Sequence, residues 1–271
     1  ALPSRLWWSG TWQASWAAPG GWEGSLTFDG PLAFSTSTGL PESCSDVPAM
    51  LSMRFPSGDT ANAATSKLLL KGNLSADTAQ HSFTFSDLKG EVAGASVTGH
   101  ARVSDRGGSS EQWAGTFVAR HARLRDLLSR FGFDPGETAD PDAFGPVSLR
   151  GTLAGDARGW EFSSFEAEAD GSRMTGTMGY RFATSDTARP KWTFDVSLDR
   201  LDVDAHLPPP VQDSPPSEEP WDVSWMRRVD AEGLIRIREA VFRLQPLSRV
   251  VIPVSLNAGV LEVIPATAGF S

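Results

Sequence analysis

In residues 191–199, KWTFDVSLD, every second residue is apolar: Trp192, Phe194, Val196 and Leu198 alternate with Lys191, Thr193, Asp195, Ser197 and Asp199. Side chains that change sides at each step mark a β-strand, and one dry face with one wet face is the signature of antiparallel sheet. The pattern returns at residues 51–55, 68–74, 82–85, 113–118, 147–153, 160–165, 235–241 and 250–256. Gly, Asp, Ser and Pro separate these runs at spacings that suit tight turns. Strands do not alternate with long helical patterns, which argues against a parallel α/β sheet. The period therefore predicts a mainly β chain.

Other segments depart from that period. Leu124, Leu127, Leu128 and Phe131 have helical spacing, which predicts one short packing helix near residues 120–131, ended by Gly132. Asp140 before Pro141 reads as the cap and first position of a single helical turn. Residues 208–220, PPPVQDSPPSEEP, read as a proline- and acid-rich linker or loop. The expected organisation is a repeated strand–turn–strand sheet over residues 1–207, this linker, and C-terminal strands over 221–271. Those last strands are too few for a core of their own, so they are expected to continue the sheet. Trp8, Trp12 and Trp16 lie four apart with Trp7 beside them. They are read as covering the open end of the sheet, in preference to a helical stripe at a membrane interface.

The chain also repeats itself. A shift of 77 residues lays Phe85, Leu88, Gly94, Thr98 and Gly99 on Phe162, Phe165, Gly171, Thr175 and Gly176, the motif F-S-x-[LF]-x5-G-x3-T-G. Upstream, Leu70, Gly72, Leu74 and Asp77 match Leu149, Gly151, Leu153 and Asp156 at a shift of 79. Such a repeat is one supersecondary unit used twice, and its glycines suit turns or bulges.

Composition narrows the function. The net charge of −9 over 271 residues argues against nucleic-acid binding and against attachment to anionic headgroups by charge. The lone Cys44 excludes an internal disulfide and a cysteine-rich zinc site. No apolar run reaches the ~18–20 residues that span a bilayer. The sequence opens at Ala1 without a Met, so any targeting segment is expected outside it.

No catalytic constellation stands out. His81, His100, His121 and His206 lack metal-ligand spacing and are expected to be exposed loop or strand residues. Asp199, Asp202 and Asp204 have the wrong spacing for a calcium loop and read as the end of a strand. Nucleophile-elbow, dinucleotide and P-loop motifs are absent from the sequence. The chain is expected to be no enzyme and to need no cofactor or metal.

Several stretches together carry a resemblance: FSDLKGEVAGASVTGHARV, FSSFEAEADGSRMTGTMGYR, LRDLLSRFG, DPDAFGPVSLRGTLAG, FDVSLDRLDVDAHLPP, VDAEGLIRIREAVFRL and GVLEVIPATA. Over residues 66–268 the chain resembles AsmA-like proteins of the Gram-negative envelope; residues 1–65 fit this pattern less well. The resemblance implies a long, curved antiparallel sheet forming an open apolar trough, β-taco-like. It implies a periplasmic location, with attachment to the inner membrane through an anchor outside this sequence. It further implies a role in phospholipid transport or outer-membrane assembly. The expected partners are phospholipid acyl chains and neighbouring segments of the same full-length chain.

On that reading the groove is lined by Phe83, Phe85, Leu149, Phe162, Trp192, Phe194, Val196, Leu198, Ile235, Ile237, Ile252 and Val254. An alternative, equally compatible with alternation, is a non-enzymatic structural or interaction module with a closed β core.

Overall fold

The structure, a computed structural model, describes residues 5–18, 22–35, 41–55, 66–77, 81–105, 112–130, 135–183, 188–209, 224–263 and 267–270. The chain is mainly β. It divides into two compact units: Ala1–Ala122 with Asp126–Phe133 and Thr152–Ala157, and Arg123–Arg125 with Asp134–Gly151 and Arg158–Ser271. The division does not fall at the proline-rich segment, whose two flanks both lie in the second unit.

The first unit is an open antiparallel meander of β1 (Arg5–Ala18), β2 (Trp22–Ser35), β3 (Pro41–Phe55), β4 (Ser66–Asp77), β5 (Ser82–Val92), β6 (Ala95–Ser104) and β7 (Gln112–His121). Each strand pairs with the next in sequence. The tryptophan-rich start is thus strand, not helix; a spacing of four fits both periods and could not separate them. Leu74 and Val47, 2 % exposed, centre a cluster with Leu32, Cys44 and Ala49, against which Phe83 and Phe85 pack. Burial pushes the Cys44 thiol pKa up, beyond the opposing effect of its backbone hydrogen bond.

The second unit carries β9 (Gly159–Ala169), β10 (Ser172–Arg181), β11 (Lys191–Asp202), β12 (Asp230–Phe242), β13 (Gln245–Asn257), β14 (Val260–Val263) and β15 (Thr267–Phe270). The strands from β9 to β14 are neighbours in that order, with β15 also on β13. Ahead of β9 in sequence comes β8 (Val147–Asp156), which is shared by the two units. The β11–β12 pair departs from the antiparallel expectation: the two strands run parallel, Val196 opposite Ile235. A parallel pair needs a long return connection; the proline- and acid-rich segment falls there in sequence, and beyond Pro209 it lies outside the described residues.

The helix α1 is shorter than its spacing suggested. It spans Leu124–Arg130, while Arg120 and His121 still belong to β7; Phe131 and Gly132 lie outside the described residues. Its first amides are satisfied by the loop before β8, Leu124 N donating to Gly145 O at 2.6 Å and Arg125 N to Phe144 O at 2.9 Å. Leu124, Leu127 and Leu128 are half-buried. Leu128→Ala is therefore expected to cost ~1–2 kcal/mol in a urea melt, below the range for a fully buried leucine.

Asp140 caps a turn, not a helical turn. Its carboxylate accepts from Asp142 N at 2.9 Å, and its carbonyl accepts from Ala143 N at 3.1 Å. A second short helix, α2 (Val203–His206), follows β11 and is capped by Asp202, whose side chain accepts from Ala205 N.

Candidate functional site: an apolar sheet face

The repeat has a defined geometry. In both copies a two-residue turn in the left-handed region joins the hairpin: Ala93–Gly94 at φ 49° and 87°, Asp170–Gly171 at 49° and 70°. In both copies a bulge interrupts the first strand at a residue with positive φ, Asp87 and Ser164. The register skips identically: Phe85 faces Ala101 and Leu88 faces Gly99, as Phe162 faces Met178 and Phe165 faces Gly176. The bulge turns residues three apart onto one side. The Phe162 and Phe165 rings consequently stack at 5.2 Å.

That device builds the apolar face of the second unit. Its cross-strand rows are Trp160–Tyr180–Trp192–Ala231–Leu256, Phe162–Met178–Phe194–Gly233–Val254, Phe165–Gly176–Val196–Ile235–Ile252 and Ala167–Met174–Leu198–Ile237–Val250. Directly opposed residues share a face, so these rows form one apolar surface from β9 to β13. Gly151 of β8 comes so close that a Cβ there would strike the Phe162 ring; Leu149, two residues before it, points the same way. Trp160, Tyr180 and Trp192 form an aromatic cluster at one end, with centroids 4.8–6.0 Å apart.

The opposite face is charged. Glu166 accepts from Arg150 at 2.8 Å and Arg173 at 2.6 Å, which holds its carboxyl below the ordinary range. Lys191 meets Glu232 at 2.7 Å, and Arg236 meets Asp195.

Of the predicted lining residues, Phe83 and Phe85 belong to the first unit and the other ten to the second. Phe162, Val196 and Ile237 are buried. The other nine, Phe83, Phe85, Leu149, Trp192, Phe194, Leu198, Ile235, Ile252 and Val254, are half-buried. Sequence reasoning missed Leu88, Trp160, Phe165, Met174, Met178 and Tyr180. For Leu88 and Phe165 the signal was present in the repeat motif, whose F-S-x-[LF] core is the bulge.

The aspartates at the end of β11 and the start of α2 are structural clasps. Asp199 accepts from Arg173 N at 2.8 Å, and Asp204 accepts from Arg243 N and Leu244 N, both at 2.7 Å. Asp204 thereby holds a β12–β13 turn whose two residues both have positive φ without glycine.

His206 differs from the expected exposed residue. It is half-buried, with Nε2 3.0 Å from Asp170 Oδ2 and Nδ1 2.6 Å from the Asp202 carbonyl oxygen. Of the others, His81 and His100 are exposed and His121 is half-buried. Beside His206 lies a cleft of about 910 Å³, whose lining includes Asp142, Asp170, Arg200, Glu239 and Pro246.

Among the described residues, no three His, Cys, Asp or Glu side chains are grouped to hold a metal ion. None of the described helices is long and apolar enough to cross a membrane. No family model, curated protein or solved structure matches this chain.

Proposed function

We propose that the chain is the periplasmic, lipid-shielding part of an AsmA-like protein anchored in the inner membrane, holding phospholipid acyl chains on its apolar sheet face. The observation that carries this reading is the set of four apolar rows from β9 to β13, most of whose predicted lining residues are half-exposed. A closed core would leave such residues buried at native packing density. Keeping an acyl chain out of water is worth ~0.8 kcal/mol per CH₂, so a long chain gains on the order of 10 kcal/mol from such a surface. A continuous, unspecific wall also suits movement, because a deep local minimum would trap the lipid. The charged rows of the other face keep that side in water.

Native mass spectrometry and lipid extraction of the purified protein test the reading. Phospholipid is expected to co-purify. Ile252→Asp places a charge at a half-buried position of the third row, where the carboxylate can reach water. It is expected to keep the fold, lower Tm by no more than a few degrees, and strip most of the lipid. A wild type that carries no lipid and takes none from vesicles favours the closed interaction module instead.

A further inference from the structure

We propose that the His206 imidazolium is a pH-sensitive latch, closing a ring of contacts that holds the loop before β8 against α2 and the β9–β10 turn. The ring runs as follows. Ala139 N donates to Leu207 O at 2.8 Å, and Asp140 N to Ala205 O at 3.1 Å, tying the loop to α2. At its other end, Phe144 N and Gly145 N both donate to the Asp170 carboxylate at 2.9 Å, tying the loop to the β9–β10 turn. His206 closes the circuit between α2 and Asp170. Phe144 packs edge-on against the imidazole, with centroids 5.1 Å apart. The latched loop is one wall of the 910 Å³ cleft.

The chemistry requires a charged ring. The Asp202 carbonyl can only accept, and so can an ionised Asp170. Both ring nitrogens face acceptors, so both must carry hydrogen, which only the imidazolium does. A neutral ring turns one of these contacts into lone pair against lone pair. Arg200 from β11, Glu239 from β12 and Asp142 from the loop line the same cleft.

The titration shifts agree in direction. Burial opposes the charge on His206, but the Asp202 carbonyl and the Asp170 carboxylate outweigh it and raise the pKa above 6.5. Burial likewise opposes the charge on Asp170; the Gly145 amide, His206 and the Phe144 amide outweigh it and lower that pKa below 3.8. The histidine contribution is complete below its unfolded-state pKa and disappears as pH rises through the raised folded value. The aspartate contribution disappears only as pH falls through its own lowered value. The latch therefore holds in mild acid and loosens toward alkaline pH.

The test is an NMR titration of the His206 ring in the intact chain, beside hydrogen exchange of the Ala139 and Asp140 amides corrected for the intrinsic rate. His206 is expected to titrate above 6.5, and amide protection to fall in step, about tenfold for each unit of elevation. Asp170→Asn is expected to lower the histidine pKa and remove most of the pH dependence. The wild-type titration decides the matter if that variant does not fold. A ring titrating at or below 6.5, or protection that ignores its titration, overturns the latch.

Discussion

Val196→Asp is expected to unfold the second unit or to cost it on the order of 4 kcal/mol or more. Val196 is 7 % exposed and sits in the third apolar row, with Phe165, Gly176, Ile235 and Ile252 as its row neighbours. A carboxylate there loses its water and gains only apolar row partners. Burial raises the pKa of such a group, so the deficit relative to wild type should grow as pH rises above the ordinary carboxylate range. Urea melts near pH 4 and pH 7 measure the difference. The same charge at Ile252, in the same row but half-buried, is expected to spare the fold. If both variants unfold alike, the row is close-packed throughout and the lipid surface is untenable. If neither loses stability, Val196 is not buried.

The strands were legible because alternation is local. Each run of four or more alternating residues carries its own evidence, and the face that Trp192, Phe194, Val196 and Leu198 share follows from their spacing alone. Three things were less legible, each for a physical reason. A bulge breaks the period it serves: Phe162 and Phe165 are out of phase by simple alternation, and only the left-handed Ser164 between them restores a common face. The parallel pairing of β11 with β12 depends on a partner chosen across about thirty residues of sequence, which no local pattern encodes. The helix is shorter than its spacing suggests because Arg120 and His121 fit a helical extension as well as they fit the end of β7.

The polar clasps were legible only in part. Asp199, Asp202 and Asp204 read as a strand ending, and their carboxylates do secure backbone there. The turn that Asp204 holds was not legible, since Arg243–Leu244 lacks the glycine or asparagine that positive φ favours. Two carboxylate hydrogen bonds stabilise what the side chains oppose. His206 was missed because its partners, Asp170 and the Asp202 carbonyl, meet it only after β9, β10 and β11 have formed.

Gly99→Ala and Gly176→Ala are each expected to destabilise their unit by ~3 kcal/mol or more, and to similar extents. The two glycines occupy one position of the repeat, opposite the residue that follows each bulge. A Cβ on Gly99 would lie 2.2 Å from Thr116 O and 3.0 Å from the Phe117 Cα. One on Gly176 would lie 2.1 Å from Asp195 O and 3.0 Å from the Val196 Cα. These obstacles are the backbone of the next strand, so no rotamer change relieves them; the ladder itself must shift. Gly10 provides the contrast, since a Cβ there meets nothing within 4 Å and Gly10→Ala should stay within about 0.5 kcal/mol of wild type. Urea melts of the three variants measure this. Tolerance at Gly99 with collapse at Gly176 would mean that the two hairpins only resemble each other in sequence. Equal, large losses would show that the T-G of the repeat is there to let the neighbouring strand close up beside a bulge, which keeps two aromatic or aliphatic side chains on the apolar face.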